Sequence, residues 1–292
     1  MKQAIAPGLL LCTASFMLLA QTPAPNPLHR QYREGETLVY RMTALNDAWR
    51  YSIQSDSTVK RDANGAFFEE VHWSGMQSNG RRVVLSAAMQ EMRQRFSLDP
   101  NFIPVPPNMH QIEPRMVGPV TDFGTFYADL WIILKTGQLT KPGDHFYFVM
   151  PITPSWADGN QLLVGEDSFA FDLTWKSTNP ADQTAILMIR HVPPEKPTVH
   201  LTADWMQKPV ADTPNNWVQV KKLPDGKFEA AVGKETFDVE LKVDLKDGKI
   251  LHGSMKNPLT TIERTCTDAG LTQCDAPKPQ EILRTIEISL VH

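Results

Sequence analysis

Eight histidines, at positions 29, 72, 110, 145, 191, 200, 252 and 292, are the first place to look for chemistry, because imidazole can hold a metal or carry a proton near neutral pH. No two of them lie at i, i+2 on a strand or i, i+4 on a helix, the spacings that aim two rings at one zinc. His191 and His200 flank the turn Pro193-Pro194-Glu195-Lys196-Pro197 and would meet only across a hairpin. His145, after Pro142-Gly143-Asp144, reads as a hydrogen-bonding residue at the start of a strand. Two segments set tryptophan beside short polar side chains. In the first, Trp156 stands with Asp158 and Asn160; in the second, Trp217 stands with Asp212 and Asn216. Such a group could stack its ring on a sugar while the oxygens take the hydroxyls, or the Asx side chains could simply close their own turns. Neither segment has the ligand count of a calcium loop. Asp158 and Asp212 would serve a polysaccharide hydrolase only if they faced one cleft about 5–9 Å apart.

The familiar signatures of catalysis are missing from the chain. It has no phosphate loop, no dinucleotide-binding glycine pattern, no His-Glu-x-x-His and no Gly-x-Ser-x-Gly elbow. No cofactor or metal is expected, and enzymatic activity stays open with the balance against it. Cys266 and Cys274 enclose Thr-Asp-Ala-Gly-Leu-Thr-Gln, a spacing suited to a local disulfide and unlike the Cys-x-x-Cys of a redox pair. The 29 basic and 33 acidic side chains leave a net charge of -4, too even a balance for a nucleic-acid or anionic-lipid field.

A positive start, Met1-Lys2, and the apolar run from Leu9 to Ala20 read as an export signal, cleaved after Ala20. The run is shorter than the ~20 residues of a spanning helix, and no other stretch approaches that length. The expected product is periplasmic or secreted, with no transmembrane anchor after cleavage. A proline-rich linker over 21–30 would then lead into one β-rich domain, 31–292, or into two subdomains, 31–115 and 120–292.

Period-two patterning dominates that domain. In Thr236–Leu245, Phe237, Val239, Leu241, Val243 and Leu245 share one face, and Asp238, Glu240, Lys242 and Asp244 the other. Turns at Lys246-Asp247-Gly248-Lys249 and Pro224-Asp225-Gly226 separate further runs: Trp217–Leu223, Lys227–Val232, one from Ile250, Leu259–Cys266 and Glu281–Val291. Residues 216–292 thus read as a meander of about six strands. Upstream, Glu36–Ala44, Trp49–Lys60 and Phe67–Ser74 are strand-like, although Glu69 shares a face with Phe67, Val71 and Trp73 and spoils the alternation. Residues 83–98 fit a strand with a short helical or irregular start. One helix is expected near 122–136, capped by Thr121 or Asp122, carrying Phe123, Phe126, Tyr127, Leu130 and Leu134 on one stripe and ended by Gly137. The stretch 100–119, with six prolines, reads as an extended connection or lid.

The chain resembles a group of secreted bacterial proteins of unknown function. The resemblance lies in Arg33-Glu34-Gly35-Glu36-Thr37-Leu38-Val39-Tyr40, Gly118-Pro119-Val120-Thr121-Asp122-Phe123 and Gly143-Asp144-His145. It continues through Ser155-Trp156-Ala157-Asp158-Gly159, the stretch 212–219 and Gly233-Lys234-Glu235-Thr236-Phe237-Asp238-Val239-Glu240. Its opening Gly-Glu-x-Leu-x-Tyr is also similar to periplasmic β-barrel-like domains of unknown function. The resemblance implies a secreted β-rich fold and brings no catalytic residue. The combined expectation is a mainly β protein: an antiparallel barrel or strongly curved sheet of roughly fourteen strands around one buried helix. Exported and rich in aromatics, it would use a concave surface to bind an apolar or amphipathic small molecule. A polysaccharide hydrolase and a structural or partner-binding module are the alternatives.

Overall fold

Alternating side chains become paired strands in the computed structural model, which describes residues 26–47, 49–103, 112–151, 155–157, 161–164, 168–192, 203–211 and 215–291. The N-terminal strands are β1 (Thr37–Asn46), β2 (Trp49–Arg61), β3 (Phe67–Ser78), β4 (Arg81–Arg82) and β5 (Gln94–Phe96), with a short helix, α1 (Ala87–Glu91), before β5. Next comes the long helix α2 (Pro114–Thr136), and then β6 (His145–Pro151), β7 (Ser155–Ala157), β8 (Gln161–Val164), β9 (Ser168–Asn179) and β10 (Thr184–Val192). The last five strands are β11 (Trp217–Lys222), β12 (Phe228–Glu235), β13 (Phe237–Asp244), β14 (Ile250–Cys266) and β15 (Lys278–Leu290).

All fifteen strands join one antiparallel sheet, and the protein is mainly β, with 52% of the described residues in strands. The order runs β4-β3-β2-β1-β15-β14 and then forks: β12-β11-β8-β7 follow one half of β14, and β13-β10-β9-β6 the other. The sheet is not closed into a barrel, so that form of the expectation is corrected. The expected meander of about six strands is corrected too. The runs from Ile250 and over Leu259–Cys266 are one 17-residue strand, and β12 and β13 do not pair with each other.

The fork has a local cause. Pairing with β13 reaches Asp238 opposite Lys256, pairing with β12 begins at Glu235 opposite Leu259, and Pro258 lies between. Proline has no N–H to donate, so it suits the point where one partner hands over to the next. The fully buried Asn257 covers the gap: its Nδ2 donates to the Thr236 carbonyl at 2.9 Å, and its Oδ1 accepts from Arg284 at 2.9 Å.

Helix α2 starts eight residues before the expected first residue, 122, so the 100–119 stretch, of which 104–111 lie outside the described residues, is helical from Pro114 on. Met116, Val120, Phe123, Tyr127 and Leu130 are all buried at helical spacing, and this apolar stripe outweighs Pro119, which lies inside the helix. Pro114 occupies the first turn, where its missing N–H costs nothing. Asp122 is consequently a buried residue in mid-helix rather than a cap. Gly137 ends α2 as expected, at φ 61°.

Side chains of β1, β2, β3, β9, β10, β13, β14 and β15 form one apolar core with those of α2. A smaller core under β11 and β12 contains Cys266, which is bonded to Cys274 as expected. Leu28 and Arg30, within the expected linker, are buried against the domain. Residues 1–25, and with them the expected export signal, lie outside the described residues. Among the described residues no helix is long and apolar enough to cross a membrane.

At the centre, α2 crosses β14 where a side chain is missing: a Cβ on Gly253 would lie 2.8 Å from the Phe126 ring. Gly253→Ala should therefore destabilise the protein by about 1–3 kcal/mol in urea unfolding. Combined with Phe126→Leu, it should cost less than the sum of the two single changes. Strict additivity would show that the contact does not set the packing.

Candidate functional site

The tryptophan-centred groups come first. Asp158, Asn160 and Asp212 lie outside the described residues, as does His200. Trp156 stands on β7 opposite Leu163. Asn216 is committed to the backbone: its Nδ2 donates to the Glu235 carbonyl and its Oδ1 accepts from the Glu235 N–H, both at 2.8 Å. It extends the β11–β12 pairing by one further rung. Trp217, partly buried, faces Gly233 across the same pair of strands. His145 bonds to Asp172 across β6 and β9, in keeping with its reading as a strand-end residue. Among the described residues, no three His, Cys, Asp or Glu side chains are grouped so as to hold a metal.

The polar chemistry of the molecule lies on α2 instead. Asp122 accepts from the Tyr51 hydroxyl at 2.7 Å and from Arg284 at 2.6 Å. Two turns on, Asp129 meets His191 at 3.1 Å, and that imidazole is packed between the rings of Phe171 and Phe237. Burial pushes both carboxyls above their ordinary values. From an adjoining face of the helix, Tyr127 donates to Glu69 at 2.5 Å. The other Glu69 oxygen faces Arg30 at 3.8 Å, and Arg30 is also bonded to Glu36 at 2.6 Å. Glu69 is the residue that spoiled the alternation of β3. It does point inward with Val71 and Trp73, and the phenol and the guanidinium are what make that tolerable.

The outward side of α2 is different. Gly124, Ala128 and Trp131 follow one another on that side, and with Phe96, Phe102, Ser97, Arg95 and the edge of Tyr127 they line a pocket of about 160 Å³. Two of its rings, Phe96 and Tyr127, stand 5.5 Å apart, and each packs at 5.1 Å on the buried Phe123 behind them. The space exists because position 124 has no side chain; a Cβ there would touch Phe96 at 3.4 Å. Ser97, the one hydroxyl of the lining apart from Tyr127, donates to the Phe67 carbonyl at 2.6 Å. A larger depression on the other side of β3, about 410 Å³, is lined by polar residues such as Asp56, Glu70, His72 and Arg93. Its Asp56 is already held by Gln54 and Ser74.

None of the pocket residues stood out in the sequence as a site. Trp131 lies off the apolar stripe of α2, which was a usable signal, but Phe96 and Phe102 join it only through the fold. The chain matches no protein-family model, and comparison with curated proteins and with solved structures returns no significant match.

Burial lifts the Glu69 carboxyl to about 7 from an ordinary 4.5. The folded protein then holds this proton more tightly than the unfolded chain does. The associated stability is complete below about 4.5 and is lost as pH rises through about 7. Over that window the urea midpoint of the wild type should fall relative to Glu69→Gln, by no more than one proton's worth, about 1.4 kcal/mol per pH unit. Parallel pH profiles for the two proteins would show that Glu69 does not titrate there.

Proposed function

We propose that this chain is an exported, non-catalytic binding protein whose antiparallel sheet curves around α2 and whose Phe96–Trp131 pocket takes the apolar part of a small molecule. One observation carries the proposal: an aromatic-lined pocket of about 160 Å³ stays open beside a helix whose other sides are packed. A cavity of ~150 Å³ lined by apolar side chains is enough to bind a benzene ring. The concave face of the sheet is filled by α2 itself, so the ligand sits on the outer side of the helix rather than between helix and sheet. Export is supported by the apolar run from Leu9 to Ala20 and by the Cys266–Cys274 bridge, a bond that persists in oxidising compartments. A binding role is supported by the lining, in which the hydroxyls of Ser97 and Tyr127 are both committed to protein acceptors.

Gly124→Leu tests the proposal directly. Its side chain grows toward Phe96 into the pocket, while leucine improves helix propensity over glycine by up to ~1 kcal/mol. Wild-type protein should bind the neutral dye Nile red with a blue shift. Gly124→Leu should weaken that binding at least roughly tenfold, the effect of losing about 1.4 kcal/mol, while its circular dichroism and thermal midpoint hold or rise. Equal dye binding by the two proteins, or none by the wild type, would refute the pocket as a site.

A further inference from the structure

We propose that the occupant of this pocket is a single-chain amphiphile with an anionic head, of the fatty-acid class. This rests on the binding role above and names its ligand. The pocket lining contains a cation, Arg95, and no carboxylate. The Arg95 guanidinium stands 4.7 Å above the ring of Phe68, which packs at 5.8 Å on Phe102 of the lining. A second cation, Lys135, stands 5.4 Å above Trp131, another lining ring. Both are exposed, and among the described residues neither is joined to an acidic side chain.

Two cations resting on aromatic faces keep their positive charge available to a ligand while their stems and rings remain apolar. The volume, about 160 Å³, admits the end of a chain or a single ring and not a whole lipid. The remainder of an alkyl chain must therefore lie along the surface beside the pocket. Ile103, next to Phe102 in the chain, is 72% exposed and supplies apolar surface of the kind such a chain needs. A negative head at Arg95 or Lys135, with its first methylenes among the rings and the rest of the tail leading away toward Ile103, satisfies both parts of the site. A cationic or uncharged head satisfies only one.

The experiment displaces Nile red from the full-length mature protein with dodecanoate, dodecanol or dodecyltrimethylammonium, each below its micelle concentration. Dodecanoate should displace the dye at the lowest concentration. Arg95→Gln and Lys135→Gln should each weaken dodecanoate by roughly two- to fivefold, the range for exposed ion pairs, and the double variant by roughly tenfold. Dodecanol should lose clearly less than dodecanoate in each variant, and raising the salt to 0.5 M should weaken dodecanoate alone. If dodecanol matches dodecanoate, or if the double variant weakens both equally, the anionic head is refuted while the apolar pocket stands. If Nile red itself fails to bind, the binding role falls and this inference falls with it.

Discussion

A helix covered on most of its sides has to find partners for its polar side chains within the protein, because water cannot reach them. In α2 this requirement falls on Asp122, Tyr127 and Asp129. Asp122 is held by β2 and β15 through Tyr51 and Arg284, Asp129 by β10 through His191, and Tyr127 by β3 through Glu69. Glu69 extends the chain of contacts to Arg30 and so secures the segment that precedes β1. Such buried pairs add little net stability, since desolvation offsets most of the attraction, but losing one partner strands a buried charge at a cost of several kcal/mol. Their effect is to specify register. Sliding α2 by one residue turns it by roughly 100° and pulls all three groups from their partners at once.

That fixed register bears on the surface as well. With the inner sides of the helix tied to four strands, the outer side can carry Gly124 and Ala128 without the rings around them closing the gap. Tyr127 belongs to both sides. Its ring edge lines the pocket, and its hydroxyl is anchored on Glu69 in the core. A pocket wall pinned in this way loses little freedom when a ligand arrives, which is the condition for useful affinity from a small contact.

How much of this could be read from the residues varied with the range of the interaction. Alternation over Phe237–Asp244 and the turn ending at Gly248 are short-range properties and translate directly into β13 and the start of β14. So do the end of α2 at Gly137 and the Cys266–Cys274 bridge. The start of α2 was hidden because prolines at 114 and 119 argue locally for extended chain, whereas burial of Met116 and Val120 is a tertiary fact. β14 looked like two strands because its partner changes at Pro258, which no local pattern encodes. Asn216, a candidate ligand-binding side chain in the sequence, bonds to the Glu235 backbone, and no local pattern reveals that partner 19 positions away. The pocket was the least legible of all, since its walls come from α2, β5 and the loop after β5.

The pairing of β1 with β15 sets Tyr40 opposite Leu290 and Asn46 opposite Arg284. β1 therefore cannot acquire that neighbour until residues 278–290 have been made, and until then one flank of the first hairpin has no mate. Long-range closure of this kind folds slowly. The first hairpin thus keeps one flank open until β15 arrives to join it to β14, and this sets an order on how the sheet can assemble.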